Sequence, residues 1–283
     1  LQLRIYTDIG CELIMNSDRL RPDNLATFKT SQGQVDILNL SVDNVAQPEL
    51  LQSLKEGGIV FTPNVDHLVK LQKDPEFYDA YQCATYRTCD SQILLYISKL
   101  LKQPIQEKIS GSDLFPAFCN YYAHDPDIDI FLLGAAEGVG ERARKRINRR
   151  VGRNMVIAAH SPSYGFEQDE AECDRIIDMI NASKASVLAI GVGAPKQEKW
   201  VAKYKDRLRH VKVILAIGAT IDFEAGHVKR SPKWMSQAGL EWLYRMMSEP
   251  NRLWKRYLIE DLPIFWMIFR QQVWQQIRQI KLD

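Results

Sequence analysis

Long apolar runs are missing from this chain, and so is any large excess of one charge. No stretch of its 283 residues approaches the roughly 20 apolar residues needed to span a bilayer. No N-terminal segment combines a basic start, an apolar stretch and a small-residue cleavage site, so an integral or exported protein is not expected. The net charge of +2 is too small to argue for nucleic acid as a partner. Cysteine pairs at redox or metal spacing are lacking as well. The five cysteines, Cys11, Cys83, Cys89, Cys119 and Cys173, are odd in number and include no C-x-x-C, which fits a reducing, cytoplasmic compartment. The five histidines are scattered, and no bound metal is expected.

What is present is an ordinary globular composition, 46% hydrophobic and 25% charged, enough for one large core or two modest ones. Residues 1–34 show little periodicity and form an N-terminal extension. From residue 35, short β-rich apolar runs recur at 35–40, 59–62, 128–133, 155–159, 187–190 and 211–217, with amphipathic segments of helical length between them. Asp74, Ser91, Asp113 and Asp169 stand where helix caps or first turns are needed. Strands alternating with helices predict a Rossmann-like, layered α/β domain with a mostly parallel sheet over residues 35–226. Ligands of such sheets sit beyond the carboxyl ends of the strands. The positions to inspect are therefore Thr62 and Asn64, Gly134, His160, the stretch 191–197, and the stretch 218–222. Residues 227–283 differ in character. They form a basic, tryptophan-rich helical appendage divided by Pro250 and Pro263, and its last segment mixes Phe265, Trp266, Phe269 and Trp274 with Arg270, Arg278 and Lys281 in an interfacial pattern.

Several local constellations bear on chemistry, each with a plainer alternative. Gly134-Ala-Ala-Glu-Gly-Val-Gly140 lets a backbone approach a phosphate, or equally serves tight strand-to-helix packing. Gly191-Val-Gly193-Ala-Pro195-Lys196-Gln197-Glu198 offers a backbone loop and an amide that suit a sugar or nucleotide, or is a strand-to-helix turn with Glu198 complementing the helix end. Asn64 and Asp90 each follow a short apolar stretch and precede a helix, so either can be a ligand group or an N-cap. Asp125-Pro-Asp127-Ile-Asp129 has the spacing of a cation-binding Asp-x-Asp but precedes a strand, where it reads as a solvated turn. The basic stretch 142–153 reads as a solvated face.

Taken together, the motifs Ile190-Gly-Val-Gly-Ala-Pro-Lys-Gln-Glu-Lys-Trp200, Ile217-Gly-Ala-Thr-Ile-Asp-Phe223, Lys229-Arg-Ser-Pro-Lys-Trp234 and Gly239-Leu-Glu-Trp-Leu-Tyr-Arg245 resemble the WecG/TagA/CpsF family of glycosyltransferases. Thr62-Pro-Asn64, Asp74-Pro-Glu-Phe77 and Gly111-Ser-Asp-Leu114 fill the expected places upstream. The resemblance implies an inverting, metal-independent transferase without a cofactor, moving a sugar of the N-acetylmannosamine type from a UDP-sugar to a sugar on undecaprenyl diphosphate. It would act as a peripheral protein on the anionic inner face of a bacterial cell membrane, possible as a homo-oligomer. It also implies that Asp90 is the general base and that Thr62, Asn64, Asp113, Gly193 and Gln197 belong to the substrate pocket. Lys108, Arg245, Arg252 and one of Lys255 or Arg256 would be the cations that meet the donor diphosphate. Two positions depart from the family pattern: Ser91 stands where glycine is usual, and Lys108 where arginine is usual. Rival readings are a catalytically idle scaffold homologue and a nucleotide-binding oxidoreductase, although the acidic ribose-binding residue of the latter is missing.

Overall fold

The computed structural model describes residues 33–280, the side chains of 233, 237, 252 and 273–280 excepted. The single strand expected over residues 35–40 is instead a hairpin. β1 (Gln34–Ile37) turns at Leu38, whose φ is 57°, and returns antiparallel as β2 (Leu40–Asp43). Val35, Ile37, Leu40 and Val42 all enter the same core, and the three-residue step from Ile37 to Leu40 breaks the two-residue period where the chain turns.

The main sheet follows. α1 (Gln47–Ser53) leads to β3 (Gly58–Phe61), then α2 (Val65–Leu71), α3 (Pro75–Tyr81), β4 (Tyr86–Arg87), α4 (Gln92–Leu100), α5 (Gly111–Tyr121), β5 (Ile130–Gly134), α6 (Val139–Val151) and β6 (Val156–His160). α7 (Glu170–Ser183), β7 (Val187–Gly191), α8 (Lys196–Tyr204), β8 (Val213–Ala216) and α9 (Thr220–Glu224) complete it. Six strands lie in the order β4-β3-β8-β7-β5-β6, and every pairing is parallel, as the alternation requires. β5, β7 and β8 are apolar at nearly every position because helices cover both faces. One face packs Leu68, Phe77, Leu94 and Ile176 from α2, α3, α4 and α7, and the other packs Leu50, Phe115, Ile147 and Ile221 from α1, α5, α6 and α9.

β3 and β8 are neighbours, yet the chain leaves β3 for the first face through α2 and leaves β8 for the second through α9. That divergence opens a crevice at the carboxyl ends of the strands, the standard ligand position of open α/β sheets. After α9 come α10 (Lys233–Gln237), α11 (Glu241–Ser248), α12 (Pro250–Lys255), one π-helical stretch (Arg256–Glu260) and α13 (Pro263–Ile280). α13 rests on α2, and its Ile264 and Ile268 are buried in the first core. Each side chain of that size contributes about 1.5–3 kcal/mol when fully buried, so this segment is held to the sheet layer.

Candidate active site

The cleft is built where β3 and β4 end. The Asp90 amide donates to the Pro63 carbonyl oxygen at 2.9 Å, which ties the two strand-end loops together. Asn64 Oδ1 accepts the His67 N–H at 3.1 Å, so Asn64 caps α2 and lines the cleft at once. At α4 the cap is Ser91, whose Oγ accepts the Leu94 N–H at 3.1 Å. Capping duty therefore falls on Ser91, and Asp90, one residue earlier, turns its carboxyl to the cleft.

A volume of about 360 Å³ lies between these strand ends and the appendage. One side presents Asp90, Lys108, Glu241, Trp242 and Arg245, another presents Asn64, Asp66, Arg256 and Asp261, and Leu258, Leu262 and Phe265 form an apolar lip. Lys108 Nζ stands 3.3 Å from Asp113 Oδ2 and 3.8 Å from Glu241 Oε2. It also donates to Ser236 Oγ at 3.2 Å, and that hydroxyl donates to Glu241 at 3.1 Å. Arg245 lies 5.6 Å over the Phe223 ring, a cation–π contact that fixes its direction. Arg256 Nη2 pairs with Asp66 Oδ2 at 3.3 Å, while Lys70 holds the same oxygen at 2.8 Å.

Burial pushes the Asp90 carboxyl up to about 8; Glu241 and, less, Asp113 add to the rise, and Lys108 and Arg245 oppose it. Asp113 moves the other way. Burial would raise it, but Lys108, the Ser110 hydroxyl and Arg230 outweigh that and hold it below the usual carboxylate range. Asp90 thus sits where a proton can be taken up or released near neutral pH, as a general base requires.

Of the residues expected from sequence, the cleft brings together Asn64, Asp90, Lys108, Arg245 and Arg256. Asp113 stands behind Lys108, and it is Ser110, not Asp113, that caps α5; Asp113 bonds back to that cap. Between Lys255 and Arg256 the structure distinguishes clearly: Arg256 lines the cleft, whereas Lys255 is exposed over the Trp254 ring. The Arg252 side chain lies outside the described residues. Thr62 and Gln197 are buried and lie outside the lining, as does Gly193. The Gln197 amide is engaged at both ends, with Nε2 donating to Glu198 at 2.8 Å and Oε1 accepting the Gly218 N–H at 3.3 Å. Glu198 is fully buried, and burial pushes it up to about 7. Gly134 has a packing reason: a methyl group there would stand 2.5 Å from the Gly191 carbonyl oxygen. The loop that carries Asp125 and Asp127 enters β5 at its amino end, away from the cleft, and Asp125 Oδ1 accepts the Asp127 N–H in a local turn. Sequence reasoning passes over Asp66, Glu241 and Asp261. Glu241 lies inside the 239–245 motif, and its place four residues before Arg245, on the same helical face, is the signal that could have found it.

A more open hollow of about 400 Å³ between Arg146, Arg149, Arg150, Phe223 and Glu224 lies on the α6 side, and two of its lining residues, Arg150 and Glu224, pair at 2.7 Å. The Asp90 cleft, with its convergent polar groups and shifted carboxyl, is the better candidate for chemistry. Among the described residues no His, Cys, Asp and Glu group has metal-binding spacing, and no helix is long and apolar enough to cross a membrane.

A parallel α/β sheet with a cleft at its strand ends, lined by a carboxylate and by cations from the appendage, places the chain in the doubly wound class. The model of the family described as "Glycosyl transferase WecG/TagA/CpsF family" matches residues 35–278. Similar curated proteins include N-acetylglucosaminyldiphosphoundecaprenol N-acetyl-beta-D-mannosaminyltransferases of Staphylococcus aureus strains MRSA252, MW2 and NCTC 8325. Each is 27% identical over 246 residues, covering 84% of this chain and 92% of the relative. The chain belongs to the WecG/TagA/CpsF family and is a glycosyltransferase.

Proposed function

We propose that this enzyme transfers an N-acetylmannosamine-type sugar from a UDP donor to an amino sugar carried on undecaprenyl diphosphate, with inversion and without a bound metal. The relatives' printed activity supplies the acceptor class, and the supporting observation is Asp90, relieved of capping by Ser91 and facing the same cleft as Lys108 and Arg245. In this reaction the acceptor oxygen bonds to the donor's anomeric carbon as the bond from that carbon to the diphosphate breaks. The acceptor proton passes to Asp90, and UDP leaves. Lys108 and Arg245 meet the charge that develops on the departing diphosphate, a contribution that needs fixed dipoles or cations more than covalent chemistry. Lys108 is a single point charge, so it offers no bidentate fork to a phosphate.

The acceptor's lipid remains in a bilayer, and α13 carries Trp266 and Phe269 exposed and stacked at 5.7 Å, as suits a helix lying at an interface. UDP release from UDP-N-acetylmannosamine, measured with a short-chain lipid-diphosphate N-acetylglucosamine, tests the assignment. Turnover should require the acceptor and persist in excess EDTA. Absence of acceptor-dependent UDP release refutes the transfer reaction, and a strict need for added divalent ion refutes the cation scheme.

A further inference from the structure

At the end of the cleft away from Lys108, two carboxylates face an arginine. Asp66 comes from α2 and is 3% exposed, and Asp261, just before α13, is 8% exposed. Arg256 reaches Asp66 through Nη2, yet its Nε is buried with no hydrogen-bond partner among the described residues, and so is Asp261 Oδ1. Buried donors and acceptors are nearly always paired, because each one left unmet carries a desolvation penalty. Here one unmet group accepts and the other donates. A hydroxyl does both, giving its proton to a carboxylate oxygen while accepting from an N–H. A phosphate oxygen, an acceptor only at neutral pH, would suit Arg256 but be repelled by Asp261 and Asp66.

The same end of the cleft opens onto the apolar lip of Leu258, Leu262 and Phe265, all exposed by about half. A ligand seated there has hydroxyls at one end and a hydrocarbon chain at the other. We infer that Asp261, with Arg256 and Asp66, forms a hydroxyl-binding subsite for the acceptor sugar, the apolar lip taking the start of its lipid. This rests on the transfer reaction proposed above and assigns the acceptor's place in it. Burial pushes Asp261 up to about 6, Asp66 adds to that rise, and Arg256 and Lys70 oppose it, so these charges share one neighbourhood.

The test uses the full chain, UDP-N-acetylmannosamine and the short-chain lipid-diphosphate N-acetylglucosamine, together with acceptor analogues that each lack one hydroxyl other than the glycosylated one. Asp261→Asn should lower kcat/KM for the acceptor by about 10- to 100-fold, the range for a hydrogen bond to a charged group, with the donor KM unmoved. One deoxy acceptor should be equally poor for the parent enzyme, and combining it with Asp261→Asn should add little further loss. Asp66→Asn serves as the second variant, and UDP affinity reports whether either protein is folded. Should Asp261→Asn not fold, the deoxy series on the parent and on Asp66→Asn still decides. If no single hydroxyl matters by such a factor, or every analogue loses equally with and without the substitution, the subsite is refuted. Absence of transfer by the parent enzyme would instead refute the reaction itself.

Discussion

Replacing Asp90 with asparagine should slow turnover and raise thermal stability together. The carboxyl titrates near 8 in the folded protein against 3.8 for an ordinary aspartate. Between those values the folded chain holds a proton that the unfolded chain has released. The contribution of Asp90 to folding stability is therefore fully present below pH 3.8 and is lost progressively as pH climbs through about 8. At 1.36 kcal/mol per unit the ceiling on that loss is roughly 6 kcal/mol. The residue keeps some exposure and lines an open cleft, so solvent screening discounts the figure to about 1–2 kcal/mol. Asparagine cannot ionise and escapes the loss.

Melting curves of the two proteins should then coincide near pH 4 and separate as pH rises, with the variant higher by about 3–6 °C at pH 9. Turnover should fall by about 10²- to 10⁴-fold, the usual worth of a positioned base. A variant that is less stable at every pH by one constant amount would show that Asp90 serves packing. Undiminished activity would show that another group takes the acceptor's proton.

The remaining predictions concern its neighbours. Glu241→Gln removes the neighbouring charge that most raises Asp90 and frees Lys108 from one carboxylate; both effects favour the ionised base, so the acid limb of kcat/KM against pH should move to lower pH. An unmoved or raised limb would refute the pairing. Trp266→Ser with Phe269→Ser should weaken flotation with anionic vesicles by at least about 10-fold, since each aromatic loses roughly 1.5–3 kcal/mol of potential burial. Their exposure means that melting should hardly change, unlike truncation at Pro263, which would strip Ile264 and Ile268 from the core. Ser91→Ala should cost about 1 kcal/mol in urea unfolding and Ser91→Gly only a few tenths, because Ser91 Oγ caps α4 and glycine is tolerated at an N-cap far better than alanine.

How much of this was legible follows from which interactions are local. Strands β5, β7 and β8 announce themselves because burial on both faces makes them continuous apolar runs. β4 does not: two residues long, it has no period to detect, although Asp90 depends on it for its place. Cap signals at Asp74, Ser91 and Asp169 were readable for the same local reason, since a side chain three residues from an N–H needs no tertiary partner. The same reasoning favours the cap for Asp90, whereas in the structure Ser91 holds it.

The acidic half of the cleft was hidden for the opposite reason. Asp66 and Lys70 look in sequence like an exposed i,i+4 pair, yet Asp66 is buried because the π-helical stretch near the other end of the chain lays Arg256 over it. Glu241 and Arg245 arrive from that same appendage, and they set much of the charge around Asp90. Without those helices the Asp90 carboxyl would lose both its nearest raising charge and much of its cover, and it would fall back toward the ordinary aspartate range. The strand ends therefore position Asp90, but the segment whose contacts no local pattern reveals determines how readily its carboxyl holds a proton.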